Sequence, residues 1–246
     1  MRIINKILLL TIILSSSYSA FSQNLTLVTG LWEPFKMDSK GTTVGLDIDI
    51  IDALQKETGL VITVERAPWT ECYSRMEDGS ADMMIGLLYN SEATRYIQYI
   101  KKPYLILQPT FFSNTVSMDI DIYNKLYRYK IGYIKNRYYF NEFNSDEELK
   151  KVLGKSDEEL INMLTNGDID IIAGTDIQMK YKLKQMNLLD SIIPTLYTPS
   201  EHKKLYIGLS KKSGASENRE LIENAVRKLT SDGVIESITR KYTKKD

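Results

Sequence analysis

The chain of 246 residues contains one cysteine, Cys72, and one histidine, His202. A lone thiol forms no internal disulfide, so stability has to come from a hydrophobic core, and Cys72 is expected to be a small buried residue within it. One Cys and one His also exclude a zinc site of the usual Cys/His kind. A Cys–His catalytic pair is numerically available, but no motif supports it. Charge of one sign is lacking as well. Lys and Arg total 32 against 32 Asp and Glu, and no basic stripe dominates, which argues against a dedicated nucleic-acid binder. There is no glycine loop of the phosphate-cradling kind. Beyond the first residues, no run is apolar enough to cross a membrane.

Those first residues, MRIINKILLLTIILSSSYSAFSQ, carry Arg2 and Lys6, an apolar run Ile7–Leu14 and then small polar residues. This is the form of a secretory signal peptide, with small residues at Ala20 and Ser22 that place the cut after Ser22. The apolar run falls short of the roughly 20 residues a spanning helix needs. No cysteine stands near the cut to take a lipid. Removing residues 1–22 takes away two cations and no acid, leaving 30 basic against 32 acidic residues.

The full chain is 43% hydrophobic and 26% charged, ordinary values for a globular protein, and what remains after the cut is long enough for two modest lobes. Strand and helix alternate. LTLVT (Leu25–Thr29) predicts a strand, and GLDIDIIDALQKETG a helix with Asp47 as N-cap and Gly59 as its stop. Ile48, Ile51 and Leu54 fall three apart, on one helical face. VITVE is a second strand, TECYSRMEDG a short helix and DMMIG a third strand. That order favours a parallel sheet covered by helices. An extended stretch, KKPYLILQPTFF, separates this series from a second one starting at KIGYI. There Ser145 and Ser156 each precede a glutamate by three residues, as capping boxes do. IDIIAG, a helix over Asp176–Met186, a strand near Ile192–Tyr197, the extended LYIGLS and two closing helices complete the chain. The Tyr-rich run Tyr123–Phe140 predicts a strand with alternating rings, or an aromatic rim. Two series joined by two extended segments predict two lobes with two crossovers.

The loop LWEPFKM, after the first strand, puts Trp32 and Phe35 around Glu33 and Pro34. Open parallel sheets bind ligands at the carboxyl ends of their strands, so the rings are expected to wall a solute cleft, stiffened by the fixed φ of Pro34.

The pieces WEPF, VGLDIDIIDAL, APW with EDGSADMMIGL, KKPY, KIGYI, NGDIDIIAG, LYIGLSKKSG and LTSDGVIESITRKY occur in this order. Together they resemble the bacterial extracellular solute-binding proteins, family 3, of the polar amino-acid-binding type, over nearly all of the exported chain. The resemblance implies an α/β fold, the two-lobed periplasmic binding protein (type II), each lobe a mainly parallel sheet flanked by helices. Residues 23–109 and the return 206–246 are expected to form the first lobe and 110–205 the second. The family implies a periplasmic, non-enzymatic monomer without cofactor that closes on a small polar solute and delivers it to a membrane ABC permease. A stand-alone sensor meeting a membrane receptor, or an enzyme of dehydratase type on the same fold, are the alternatives.

Carried over by position, Trp32, Glu33 and Phe35 match the family's aromatic loop. Trp69 matches the aromatic residue after the second strand, either a ligand contact or core. Gly86, Leu87 and Leu88 match the segment facing the solute. The family's carboxylate-gripping Arg has Arg95 as its candidate, one residue late. In the second lobe Asn136, Arg137 and Tyr138 replace the usual Gly-Thr turn. The amine-binding Asp falls at Thr175, with Asp176 beside it as amine partner or helix N-cap. Those departures weaken the α-amino-acid expectation more than that of a small polar solute.

Overall fold

The computed structural model describes residues 24–114 and 119–245. The expected signal peptide lies outside the described residues. In chain order the elements are β1 (Asn24–Thr29), β2 (Met37–Ser39), β3 (Thr42–Val44), α1 (Leu46–Thr58), β4 (Val61–Arg66), α2 (Trp69–Asp78), β5 (Met83–Leu87), β6 (Ile97–Tyr99), β7 (Leu105–Leu107) and β8 (Pro109–Ser113). They continue with β9 (Ile131–Ile134), α3 (Asn141–Ser145), β10 (Lys151–Gly154), α4 (Asp157–Asn166), β11 (Ile171–Thr175), α5 (Asp176–Gln185), β12 (Ile193–Pro194), β13 (Lys203–Ser210), α6 (Arg219–Ser231) and α7 (Val234–Thr243).

Two sheets result. The first runs β4-β1-β5-β13-β6, with β7 also on β13; the second runs β10-β9-β11-β8-β12. Within each, the strands of one alternating series pair in parallel, β1 with β4 and β5, and β9 with β10 and β11. The crossover segments pair antiparallel, β13 on β5 and β8 on β11. A strand that returns from the other lobe enters against the direction of the series, which gives each sheet its mixed sense. Successive side chains of a strand point to opposite faces, so Met83 and Ile85 enter one core of the first sheet and Met84 the other, where Leu87 joins it because the left-handed Gly86 breaks the alternation. Phe111 and Phe112 divide the two cores of the second sheet in the same way. Each lobe therefore has its own two-faced core. Cys72 is buried against the first sheet, where burial pushes its thiol up from the ordinary value. None of the described helices is long and apolar enough to cross a membrane.

Three local expectations are corrected. Asp47 is not the cap of α1: Gly45 holds that position, and Asp47 lies buried in the first turn. Its place is dictated by the preceding loop, whose Pro34 and Phe35 carbonyls accept from Leu46 N (3.1 Å) and Asp47 N (3.0 Å). Those carbonyls satisfy the free N–H groups of the helix start. Of the two capping boxes, only Ser156 caps a helix, with its Oγ 3.1 Å from Glu159 N; Ser145 ends a short helix instead. The Tyr-rich run is not one strand. It forms a 3-10 helix over Tyr123–Arg128 before β9, because Tyr123 and Leu126 turn together into the second lobe's core.

Candidate functional site

The segment after β1 closes on itself. Trp32 N donates to Lys36 O (2.8 Å) and Lys36 N to Trp32 O (2.9 Å), which turns the chain around Glu33, Pro34 and Phe35. This tight turn separates the two rings that the sequence groups together. Phe35 has no exposed surface and packs the core, while Trp32 stays partly exposed, its ring 4.4 Å from that of Phe35. Of the two rings, only Trp32 keeps exposed surface.

Lys36 then points inward and is fully buried. Its ammonium meets Asp47 Oδ2 at 2.8 Å, with both side chains at 0% exposure, and donates to Ile85 O at 3.1 Å. Asp47 Oδ1 accepts from the Tyr104 hydroxyl at 2.7 Å. Burial first and Asp47 second raise the Tyr104 hydroxyl well above its ordinary value, so it stays a donor. A charge taken out of water is tolerable only when paired and hydrogen-bonded; the triad supplies the pairing and hydrogen-bonds the ammonium and Asp47 Oδ1, while Asp47 Oδ2 meets the ammonium as an ion pair without a hydrogen bond. The same ammonium stands over both tryptophans, 5.4 Å from the Trp32 ring centre and 5.1 Å from that of Trp69. Gly86 closes over it with φ +82; a Cβ there would lie 2.3 Å from Lys36 Nζ, so only glycine fits. Leu87 is buried in the core and Leu88 is exposed.

The second lobe presents a different surface. Asn136 adopts φ +63 at the end of β9. Arg137 grips Asp157, at the start of α4, with two bonds of 2.6 and 3.1 Å. Tyr138 is exposed; its hydroxyl donates to Glu201 (2.6 Å) and lies 2.8 Å from Asn141 Oδ1. The hydrogen bond to Glu201 raises the Tyr138 hydroxyl to about 12, and the Asn141 N–H and Tyr138 hydroxyl lower the Glu201 carboxyl in return. Lys203 donates to the Tyr138 carbonyl and stands 5.2 Å from its ring centre. Burial, then Arg137, lowers the Lys203 ammonium. Asn136, Arg137 and Tyr138 line a cavity of about 210 Å³ with Tyr133 and Lys151. A second cavity, of about 460 Å³, joins Leu88 and Tyr89 at the end of β5 to Glu201, His202 and Lys203.

Helix α5 bridges the sides. Thr175 holds the N-cap position, its hydroxyl donating to Gln178 Oε1 (2.7 Å) and not accepting from a helix N–H, and Gln178 reaches the Glu33 carbonyl at 3.5 Å. Lys182 meets the Glu33 carboxylate at 3.3 Å. The structure thus gathers Trp32, Trp69 and Gly86 around the Lys36 ammonium and sets Glu33 against Gln178 and Lys182 of α5, next to Thr175, while Leu88 and Asn136–Tyr138 line two separate cavities. It does not bring Asp176 or Arg95 to these places. Asp176 Oδ1 accepts from Gln108 N (3.1 Å) on the first crossover, where burial raises its carboxyl. Arg95 is exposed on a 3-10 turn, donating to Glu92 O at 3.2 Å within that turn. Sequence reasoning missed Lys36, Tyr104, Gln178 and Glu201. The available signal was a lysine set in an apolar turn, eleven residues before an aspartate that opens a helix.

Comparison with known proteins adds a family to this geometry. Residues 26–245 match the bacterial extracellular solute-binding proteins, family 3. A probable histidine-binding protein of Neisseria gonorrhoeae is 22% identical over 230 residues, covering 87% of this chain and 80% of that protein. The amino-acid-binding protein AabA of Dichelobacter nodosus is 22% identical over 213 residues, covering 84% and 81%. Among solved structures, substrate-binding domain 2 of Lactococcus lactis GlnP, in an open conformation, superposes with a TM-score of 0.76 at 19% identity, covering 91% of this chain and 96% of that one.

Proposed function

Because this chain belongs to the bacterial extracellular solute-binding proteins, family 3, with the type II periplasmic binding protein fold, we propose that it captures a small amino acid or a close relative of one. In this reading it is exported, acts as a monomer and hands its solute to a membrane ABC permease. It closes about the two crossovers, with residues 23–109 and 206–246 on one side and 110–205 on the other. The observation that carries the proposal is the groove itself. Past the carboxyl ends of β1 and β4 two partly exposed tryptophans share the Lys36 ammonium, and the turn that carries Trp32 reaches α5 of the other sheet through Glu33.

A zwitterion leaving water needs its charges paired and its apolar part covered. Trp32, Trp69 and Leu88 offer the cover. Glu33 and Glu201 offer acids, and Arg137 offers a forked donor suited to a carboxylate, released from Asp157 or shared with it on closure. Arg95 reaches the solute only if its turn swings inward when the lobes close. The proposal includes no chemical step. His202 is exposed on the second crossover, with its Nδ1 3.2 Å from the Ser200 carbonyl oxygen. Relatives described as binding histidine and amino acids support a binding role.

The test is a thermal-shift panel of residues 23–246 against amino acids, opines, polyamines, oligosaccharides and organic acids. A solute at about 100 times its Kd adds about 2.7 kcal/mol of stability, a shift easily read. A hit among the amino acids, weakened by Arg137→Ala or Arg95→Ala, upholds the proposal and identifies the carboxylate partner. A hit confined to another class replaces the solute and keeps the role.

A further inference from the structure

We infer that Lys36 sets the charge preference of this groove: its buried ammonium holds Trp32 and Trp69 in place and turns the wall they form against solutes with a cationic side chain. The inference rests on the reading of the groove as an amino-acid site. An indole attracts cations through the negative potential over its faces. The chain has two tryptophans, and both already serve the same internal cation, at 5.4 and 5.1 Å. That cation is fixed. It is fully buried, paired with Asp47, bonded to the Ile85 carbonyl and covered by Gly86.

Asp47 cancels much of the charge at long range. Its other oxygen, however, is bound by Tyr104, and the ammonium is the member of the pair that stands over the rings. A solute guanidinium or ammonium laid on the outer faces of the same indoles meets repulsion from Lys36 across them. A neutral or acidic side chain meets none. The class of solute that follows is an α-amino acid with a neutral or acidic side chain. Lys36 itself has no exposed surface, so it acts through the tryptophans as a positioning residue.

The experiment uses the exported chain and a double variant, Lys36→Met with Asp47→Asn, which removes both charges and leaves no buried ion unpaired. Tryptophan emission reports on this wall alone. Acrylamide quenching of the ligand-free protein is expected to rise in the variant as the indoles lose their anchor. Calorimetric titration with glutamine and arginine is expected to show glutamine bound more tightly by the wild type. In the variant the arginine-to-glutamine affinity ratio is expected to rise about thirtyfold, the worth of one desolvated cation–π contact. Unchanged quenching in a folded variant overturns the positioning role. Wild-type protein that binds arginine at least as tightly as glutamine overturns the charge preference, and this needs no variant. If the wild type binds no amino acid, the amino-acid reading fails and the charge preference with it, while quenching still decides whether Lys36 holds the indoles.

Discussion

The two walls of the groove solve the problem of charge in opposite ways. On the first-lobe wall the ion pair Lys36–Asp47 is dry, with both partners at 0% exposure, and every contact it makes is to a fixed group: a strand carbonyl, a buried tyrosine, two indoles. On the second-lobe wall the pair Arg137–Asp157 keeps 24% and 15% exposure, and Tyr138, Glu201 and Lys203 exchange bonds at the surface. Desolvation makes the first arrangement rigid, because breaking it leaves an ion without water. Solvent makes the second exchangeable, because water replaces whatever partner is lost. In the clamp proposed above, one face is prepared and the other adapts on closure, and the two walls would divide these tasks.

The sharpest way to break the contrast is to unpair the dry wall. Lys36→Met leaves Asp47 buried without its counter-ion and is expected to cost about 3–5 kcal/mol of stability, read as a fall in urea midpoint. Restoring neutrality with Asp47→Asn should recover a large part of that loss. Phe35→Ala removes a ring with no exposed surface and is expected to cost about 3–5 kcal/mol. Trp32→Ala, at a partly exposed ring, should cost less stability and more affinity; equal losses of the two kinds would make Trp32 a core residue. Gly86→Ala is expected to cost about 1–3 kcal/mol through strain at φ +82 and pressure on Lys36 Nζ. On the wet wall Arg137→Met should cost only about 1 kcal/mol, near the top of the range for solvated pairs.

The smallest effect concerns Asp176. Burial raises its folded-state carboxyl above the ordinary 3.8, so the folded chain takes up this proton before the unfolded chain does as pH falls. Stability from this group therefore rises as pH drops through the window above 3.8, and the burial penalty is fully present above the folded-state value. Asp176→Asn should flatten that part of the pH profile, as read by denaturant midpoints across the window.

Much of the architecture was legible because it rests on local patterns. Alternating strand and helix signals located β1, α1, β4, α2 and β5, and the helix Asp176–Gln185 begins where the sequence places it. Ser156 and Gly59 mark helix ends by their own chemistry. The site was less legible. Phe35 and Trp32 look equivalent in sequence, and only the Trp32–Lys36 turn sends one inward and leaves the other partly exposed. Asp47 has the local signature of a cap, yet a lysine eleven positions earlier claims it. Lys36, Asp47 and Tyr104 meet only because the first crossover brings Tyr104 back to the start of α1, a juxtaposition with no local signal. Arg95 and Asp176 were located by counting positions, and counting does not report where a turn points.

The most direct measurement is a calorimetric titration of the exported chain, denatured and refolded to strip any bound solute, with amino acids of neutral, acidic and cationic side chain. Saturable one-to-one binding of a neutral or acidic amino acid, weakened by Trp32→Ala with little change in the ligand-free melting temperature, is the result expected here. Absence of heat from every amino acid, with a melting temperature that none of them moves, would contradict the account.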